Sequence, residues 1–281
     1  MSVASASATR RFHRPAWMTA PVVLGAVIVV FWVFTLFTVH WWAPYDPTML
    51  AGQRFSPPGW TNWLGTDALG RDILSRSLYG VRQSLPIAVA VIGCSVMVGV
   101  VLGALAGYLG GLIDEVIMRA VDVTLSFPPI LLAMAVTASL GPGLRNAAIA
   151  MVIVWWPIYA RLMRAQVLAV REREHVEAAV ASGARPARIL FKHILPLCWS
   201  PIIVNATMDF GQIVLLAASL SFIGLGAVPP TPEWGQMISE GALHFYRWWI
   251  AAGPGIAILS IVLAFNFLGD GLRDMLDPRS K

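Results

Sequence analysis

Few residues in this 281-residue chain have the type and spacing to do chemistry. Asp209 stands inside a long apolar run, with Asn205 one helical turn before it. An acid in apolar surroundings costs about 2.5–3.5 kcal/mol on insertion scales, so it must face a protein interior or water. Two roles fit: lining a solute path and attracting a cationic group, or a structural hydrogen bond to a neighbouring helix. Arg119 and Asp122, three apart, could form a same-face ion pair. Asp270 and Asn266 read as interfacial polar groups. Cys94 and Cys198 have neither metal-ligand spacing nor a disulfide framework, so both read as small apolar packing residues. The five histidines are scattered. No phosphate-binding glycine loop with a following lysine is present, so nucleotide hydrolysis has no seat here.

The elements that must position these groups follow from composition. The chain is 57% hydrophobic and 12% charged, with a mean hydropathy of +0.70. A soluble domain carries about 25% charged residues, so this chain lacks the charge to cover itself in water. Lipid is the solvent that fits. The net charge of +5 could suggest nucleic acid, but the cations flank hydrophobic runs instead of forming one basic surface.

Six membrane spans are expected, an all-α membrane protein. The first is 16–39, preceded by a basic tail (1–15) with Arg10, Arg11 and Arg14. It is too long for the apolar core of a cleavable signal. The second is 85–109, where Gly99, Gly103 and Gly107 recur at four-residue spacing and permit close helix approach. The third is 113–140, kinked or broken at Phe127-Pro128-Pro129. The fourth, 146–160, is short, and snorkelling of Arg145 and Arg161 would help it span. The fifth is 197–227 and the sixth 248–268. Domain boundaries follow: an outer loop at 40–84, a five-helix core at 85–272 and a tail at 273–281.

Arginine and lysine fall mostly on the segments that share a side with the N-terminus, which places both termini in the cytoplasm. Trp41, Trp42, Trp248 and Trp249 then sit at outer span ends. The outer loop ends in an amphipathic stretch with Ile73, Leu74, Leu78 and Val81 near one face, which predicts a helix lying on the membrane surface. The inner loop, 161–196, predicts a helix over 171–182, a left-handed stop at Gly183 and a second helix opened by Pro186 and ended by Pro196.

That loop carries a recognisable pattern. Glu177-Ala178-Ala179, Gly183 and Leu195-Pro196 resemble the EAA loop of ABC-importer permeases, although His193 stands where the general motif has isoleucine. Further pieces are similar to the dipeptide/oligopeptide/nickel branch. They are Leu64-Gly65-Thr66-Asp67 through Arg76, Met118-Arg119-Ala120-Val121-Asp122, Leu140-Gly141-Pro142-Gly143, Ser221-Phe222-Ile223-Gly224-Leu225-Gly226 and Pro229-Pro230-Thr231-Pro232-Glu233-Trp234-Gly235. In order and spacing they resemble the C-type permease of a peptide importer.

The resemblance implies the type I importer permease fold in a bacterial inner membrane. It also implies a heterodimer with a homologous second permease, two nucleotide-binding ATPase domains inside and a substrate-binding protein outside. ATP and Mg would then belong to the ATPases, with no cofactor on this chain. Glu177, Ala178, Ala179, Gly183, Ala184, Leu195 and Pro196 would form the ATPase-coupling knob. Asn205 and Asp209 are candidates for the substrate path, where Asp209 could attract a peptide's amino terminus. Asp67, Arg71, Glu233 and Trp234 are candidates for contact with the binding protein. Nickel or another small solute is an alternative cargo. An integral membrane enzyme or an ion-coupled carrier would be alternatives of another class, but both need more intramembrane ionisable groups.

Overall fold

The computed structural model describes residues 19–276; the basic tail at 1–15, the start of the first span and the last residues of the chain lie outside that range. The described residues form helices joined by loops, with one isolated bridge between Thr66 and Asp72. Among the described residues five helices or continuous helical runs are long and apolar enough to cross a membrane, or six if a pair bent by 93° is counted as one span. They include α1 (Ala20–Trp42), α3 (Val81–Leu109), α6 (Leu144–Arg171), α9 (Leu195–Phe222) and α11 (Trp249–Leu276). The bent pair is α4 (Gly111–Leu125) and α5 (Pro129–Leu140).

The expected glycine row does bring two backbones together. A Cβ on Gly99 would lie 2.6 Å from the Trp156 carbonyl oxygen, and one on Gly103 would lie 2.3 Å from that of Ala160. Gly107 meets Val167 in the same way, so α3 and α6 run parallel in contact over three turns. Parallel neighbours need a crossing between them, and α4–α5 provides it. Small residues drive such contacts because lipid offers no hydrophobic reward for helix association, only better packing.

At the third span the two prolines break the helix outright, with a 93° bend. The Leu125 carbonyl finds no N–H at either Pro128 or Pro129, which ends α4. The twelve-residue α5 rises about 18 Å, too little to cross about 30 Å of hydrocarbon by itself. The predicted Arg119–Asp122 pair does not form. Arg119 approaches Glu115, and Asp122 instead accepts from Arg161 over 2.6 Å. With Asp114 held by Arg164, two ion pairs fasten α4 to α6. Arg161 and Arg164 thus lie within one 28-residue helix, which resolves the apparent shortness of the fourth span.

Three further expectations need correction. Pro196 does not end the loop helix. α8 (Pro186–Arg188) passes through a π-helical turn at Ile189–Ile194 straight into α9. The wider turn lets the Leu195 N–H reach the Leu190 carbonyl, and Pro196 falls in the first turn of α9, where a missing N–H costs little. The sixth span likewise continues past Leu268 to Leu276, so the 272/273 boundary falls inside α11. The 73–82 stretch is not a surface helix either. In α2 (Ile73–Tyr79), Ile73, Ser75, Arg76, Ser77 and Leu78 are buried within the protein, and α2 adjoins α3.

Candidate functional site

The knob is built by local chain chemistry. The helix α7 (Glu174–Ala181) has Glu174 and Glu177 in its first turn, where carboxylates complement the helix dipole. Gly183 sits at φ +74°, the Gly183 N–H reaches the Val180 carbonyl, and the Ala184 N–H reaches that of Ala179. These paired bonds are the Schellman termination, which satisfies carbonyls that would otherwise be orphaned. Val176 and Ile189 are buried and seat the knob on the bundle, where Ala179 and Ala184 also pack. Glu177, Ala178 and Gly183 remain exposed. Leu195 is half-buried and Pro196 exposed at the start of α9. A cleft of about 630 Å³, lined by Glu177, Val180, Arg171 and Tyr108 among others, opens between knob and bundle.

Asp209 lies halfway along α9, and its Oδ2 accepts a hydrogen bond from the fully buried Tyr159 hydroxyl over 2.8 Å. Tyr159 is itself halfway along α6. The acid is therefore tied to a neighbouring helix at mid-span, yet is not sealed off, being half-buried. Asn205 does not join it. Its amide donates to the Pro201 carbonyl within α9, and its side chain lines a different cavity with Arg273.

At the opposite end from the knob, α10 (Trp234–Ala242) docks on the outer loop through buried charge. Arg71 reaches Asp67 at 2.6 Å and Glu240 at 3.3 Å; Arg76 reaches the same two acids at 3.5 and 3.9 Å. Arg76 also donates to Gln236. Two cations and two anions neutralise one another out of water, which is what keeps buried charge tolerable. Glu233 caps α10, accepting from the Gly235 and Gln236 N–H groups, and Trp234 donates to the Ser77 carbonyl. Burial pushes the Glu233 carboxyl above the usual carboxylate range despite those two donors.

Comparison with known proteins gives the scaffold its family. Residues 99–281 match the family described as the binding-protein-dependent transport system inner membrane component. The chain is 44% identical to the di/tripeptide transport system permease protein DppC of Pseudomonas aeruginosa, over 92% of this chain and 88% of that one. It is 46% identical to the dipeptide transport system permease protein DppC of Escherichia coli, over 92% and 89%. It is 44% identical to the glutathione transport system permease protein GsiD of Pectobacterium atrosepticum, over 91% and 87%. The chain belongs to the binding-protein-dependent permease family. Its fold also matches a chain of the MetNI methionine ABC transporter, with a TM-score of 0.60 and 20% identity, over 73% of this chain and 98% of that one. The fold is that of a type I ABC importer permease.

The permease is therefore a multi-pass inner-membrane transport component, not an enzyme, and ATP hydrolysis lies outside it. Its structure brings Glu177, Ala178, Ala179, Gly183 and Ala184 into one projecting element. It separates Asn205 from Asp209. All four residues expected to meet a binding protein are buried: Asp67 is 1% exposed, Arg71 5%, Glu233 2% and Trp234 0%. They hold the outer loop and α10 together, and no partner can touch them in this arrangement. Sequence reasoning missed Tyr159 and the pairing of Arg76 with Glu240. Tyr159 and Asp209 are fifty residues apart, and only the bundle brings them into line.

Proposed function

We propose that this permease forms, with a homologous second permease, the membrane path of an ATP-driven importer for dipeptides or short oligopeptides. Two ATPase domains would grip the knob from the cytoplasm, and an extracytoplasmic binding protein would deliver solute at the opposite end. The peptide cargo rests on the names of relatives 44–46% identical along nine-tenths of the chain.

The observation that carries the mechanism is one continuous helical rod. From Pro186 through the π turn to Phe222 the backbone is helical without a break, and Asp209 lies along it. Ile189 and Asp209 are twenty residues apart, or about 30 Å along the axis. Displacement of the knob therefore reaches the mid-membrane acid as motion of a rigid body, since packed helices shift as units and do not absorb the strain. Asp209 would attract the solute's ammonium group as the path opens, with Tyr159 holding the carboxylate in place. Binding-protein docking is assigned to exposed outer residues near the buried ionic cluster. Trp60 is 98% exposed, and Tyr246 is 94% exposed. Both lie on segments tied together by the Phe55–His244 ring contact and by Arg247 over the Phe55 ring.

The test is uptake in proteoliposomes holding the purified complex, with ATP on the knob side and binding protein opposite. A panel of labelled dipeptides, tripeptides, glutathione and nickel is offered. ATP-dependent accumulation of peptides is expected. Uptake of nickel alone would redirect the cargo, and solute movement by this chain without an ATPase would end the coupling mechanism.

A further inference from the structure

α9 and α11 touch where Gly211 meets Val262 and where Met208 packs on Gly269. Toward the knob end a cavity of about 450 Å³ lies between them. Its lining mixes polar side chains, Ser200, Asn205 and Arg273, with apolar ones, Pro201, Val204, Met208 and Leu276. Among the described residues no carboxylate lines it. Asp270 and Asp274, on the same helix as Arg273, are exposed and lie outside the lining. Asn205 uses one amide N–H on the Pro201 carbonyl, so the donors left for a ligand are its second N–H, the Arg273 guanidinium and the Ser200 hydroxyl. Trp199, 42% exposed beside Ser200, marks the depth at which amphipathic rings settle between lipid and water.

We propose that this cavity binds the phosphate headgroup of an anionic phospholipid. A guanidinium presents a planar fork that matches two phosphate oxygens, and a hydroxyl adds a third donor. The apolar side chains in the lining suit the glycerol and the first methylenes of an acyl chain. A soluble anion would gain nothing from Val204, Met208 and Leu276, which is why the lipid is favoured over free phosphate. The leaflet rests on the orientation proposed above: with the knob in the cytoplasm the headgroup belongs to the inner leaflet, where anionic lipids concentrate.

The experiment is native mass spectrometry of the detergent-purified full transporter, exchanged against phosphatidylglycerol or phosphatidylcholine. This readout is blind to cargo and to sidedness, so its failure would count against the cavity alone, and a failed uptake assay against the function alone. Wild type is expected to retain phosphatidylglycerol in preference to phosphatidylcholine. Arg273→Gln should lower that retention about fivefold, the effect of one cation near a lipid surface, and Arg273→Lys should restore much of it. Ser200→Leu, which removes the hydroxyl donor and fills the cavity, supplies a second variant if Arg273→Gln does not assemble. Equal retention of both lipids would overturn the proposal. So would unchanged retention in both variants, or displacement of the lipid by millimolar inorganic phosphate.

Discussion

Tyr159 and Asp209 meet with each halfway along its helix, the hydroxyl donating to the carboxylate over 2.8 Å. Cross-helix hydrogen bonds in membranes contribute about 0.6 kcal/mol on average and at most about 1.7. Tyr159→Phe should therefore lower thermal stability only slightly, by about 1 kcal/mol. If the acid serves the solute, Asp209→Asn should cut uptake at least about tenfold at matched expression, since it removes the charge and keeps a hydrogen-bond acceptor. Uptake unchanged in Asp209→Asn would leave only the structural role.

Gly183 tests the knob. A Cβ there meets nothing within 4 Å, so its only penalty is conformational. A non-glycine residue at φ +74° costs about 1–2 kcal/mol. Gly183→Val should loosen the α7 stop and lower transport per ATP hydrolysed while leaving the transmembrane bundle folded. Gly183→Asn should be milder, because asparagine tolerates the left-handed region. Coupled ATPase and uptake assays read the ratio.

Gly103 and Gly93 form a matched pair on α3. Gly103 has the Ala160 carbonyl oxygen 2.3 Å from a built Cβ, whereas Gly93 has nothing within 4 Å. Gly103→Val should force α3 from α6 and abolish the folded complex in detergent. Gly93→Ala should be neutral or stabilise by about 0.5–1 kcal/mol through helix propensity. Size-exclusion profiles and melting curves of the two variants make the comparison.

The Asp67–Arg71–Arg76–Glu240 cluster should behave as a unit. Removing one member of a buried ion group strands its partners and costs about 3–5 kcal/mol. Arg76→Met is expected to destabilise by that order, and the combined Arg76→Met, Glu240→Met change by less than the sum of the single changes. Added salt should alter the wild-type melting temperature little, because these charges lie out of reach of ions.

Glu233 gives a pH dependence with a defined sign. Its folded-state carboxyl holds a proton to higher pH than in the unfolded chain, because burial raises it. Between the unfolded and the folded values, unfolding releases a proton, so stability falls as pH rises through that window and is level below it. Glu233→Gln should flatten this slope. A wild-type melting temperature that climbs across the same window would contradict it.

Much of the scaffold was legible because it is written in local chemistry. Apolar runs gave the long spanning helices, the glycine row gave a close approach on α3 without naming its partner, and Gly183 with Pro186 gave the knob. The errors came where long-range contact decides. A run with Arg71, Asp72 and Arg76 beside Ile73 and Leu78 has the pattern of a surface helix, but the acids that neutralise Arg76 include Glu240, far along the chain. Pro196 has the form of a stop, yet one π turn upstream makes it harmless. Asn205 and Asp209 share a periodicity, but Asp209 bonds Tyr159 on α6 while Asn205 bonds Pro201 within α9 and lines a cavity with Arg273.

The elbow between α4 and α5 bears on how the protein is made. Phe127, Ile130 and Leu131 are exposed around it, and the Leu125 carbonyl has two prolines where its donors should be. Hydrocarbon has nothing to offer a bare carbonyl, so non-helical backbone at that depth needs protein or water over it. Newly inserted chain is thus an unfinished surface until something closes over the bend. Excess copies made without a companion should be short-lived, which makes balanced synthesis of the assembly a structural requirement.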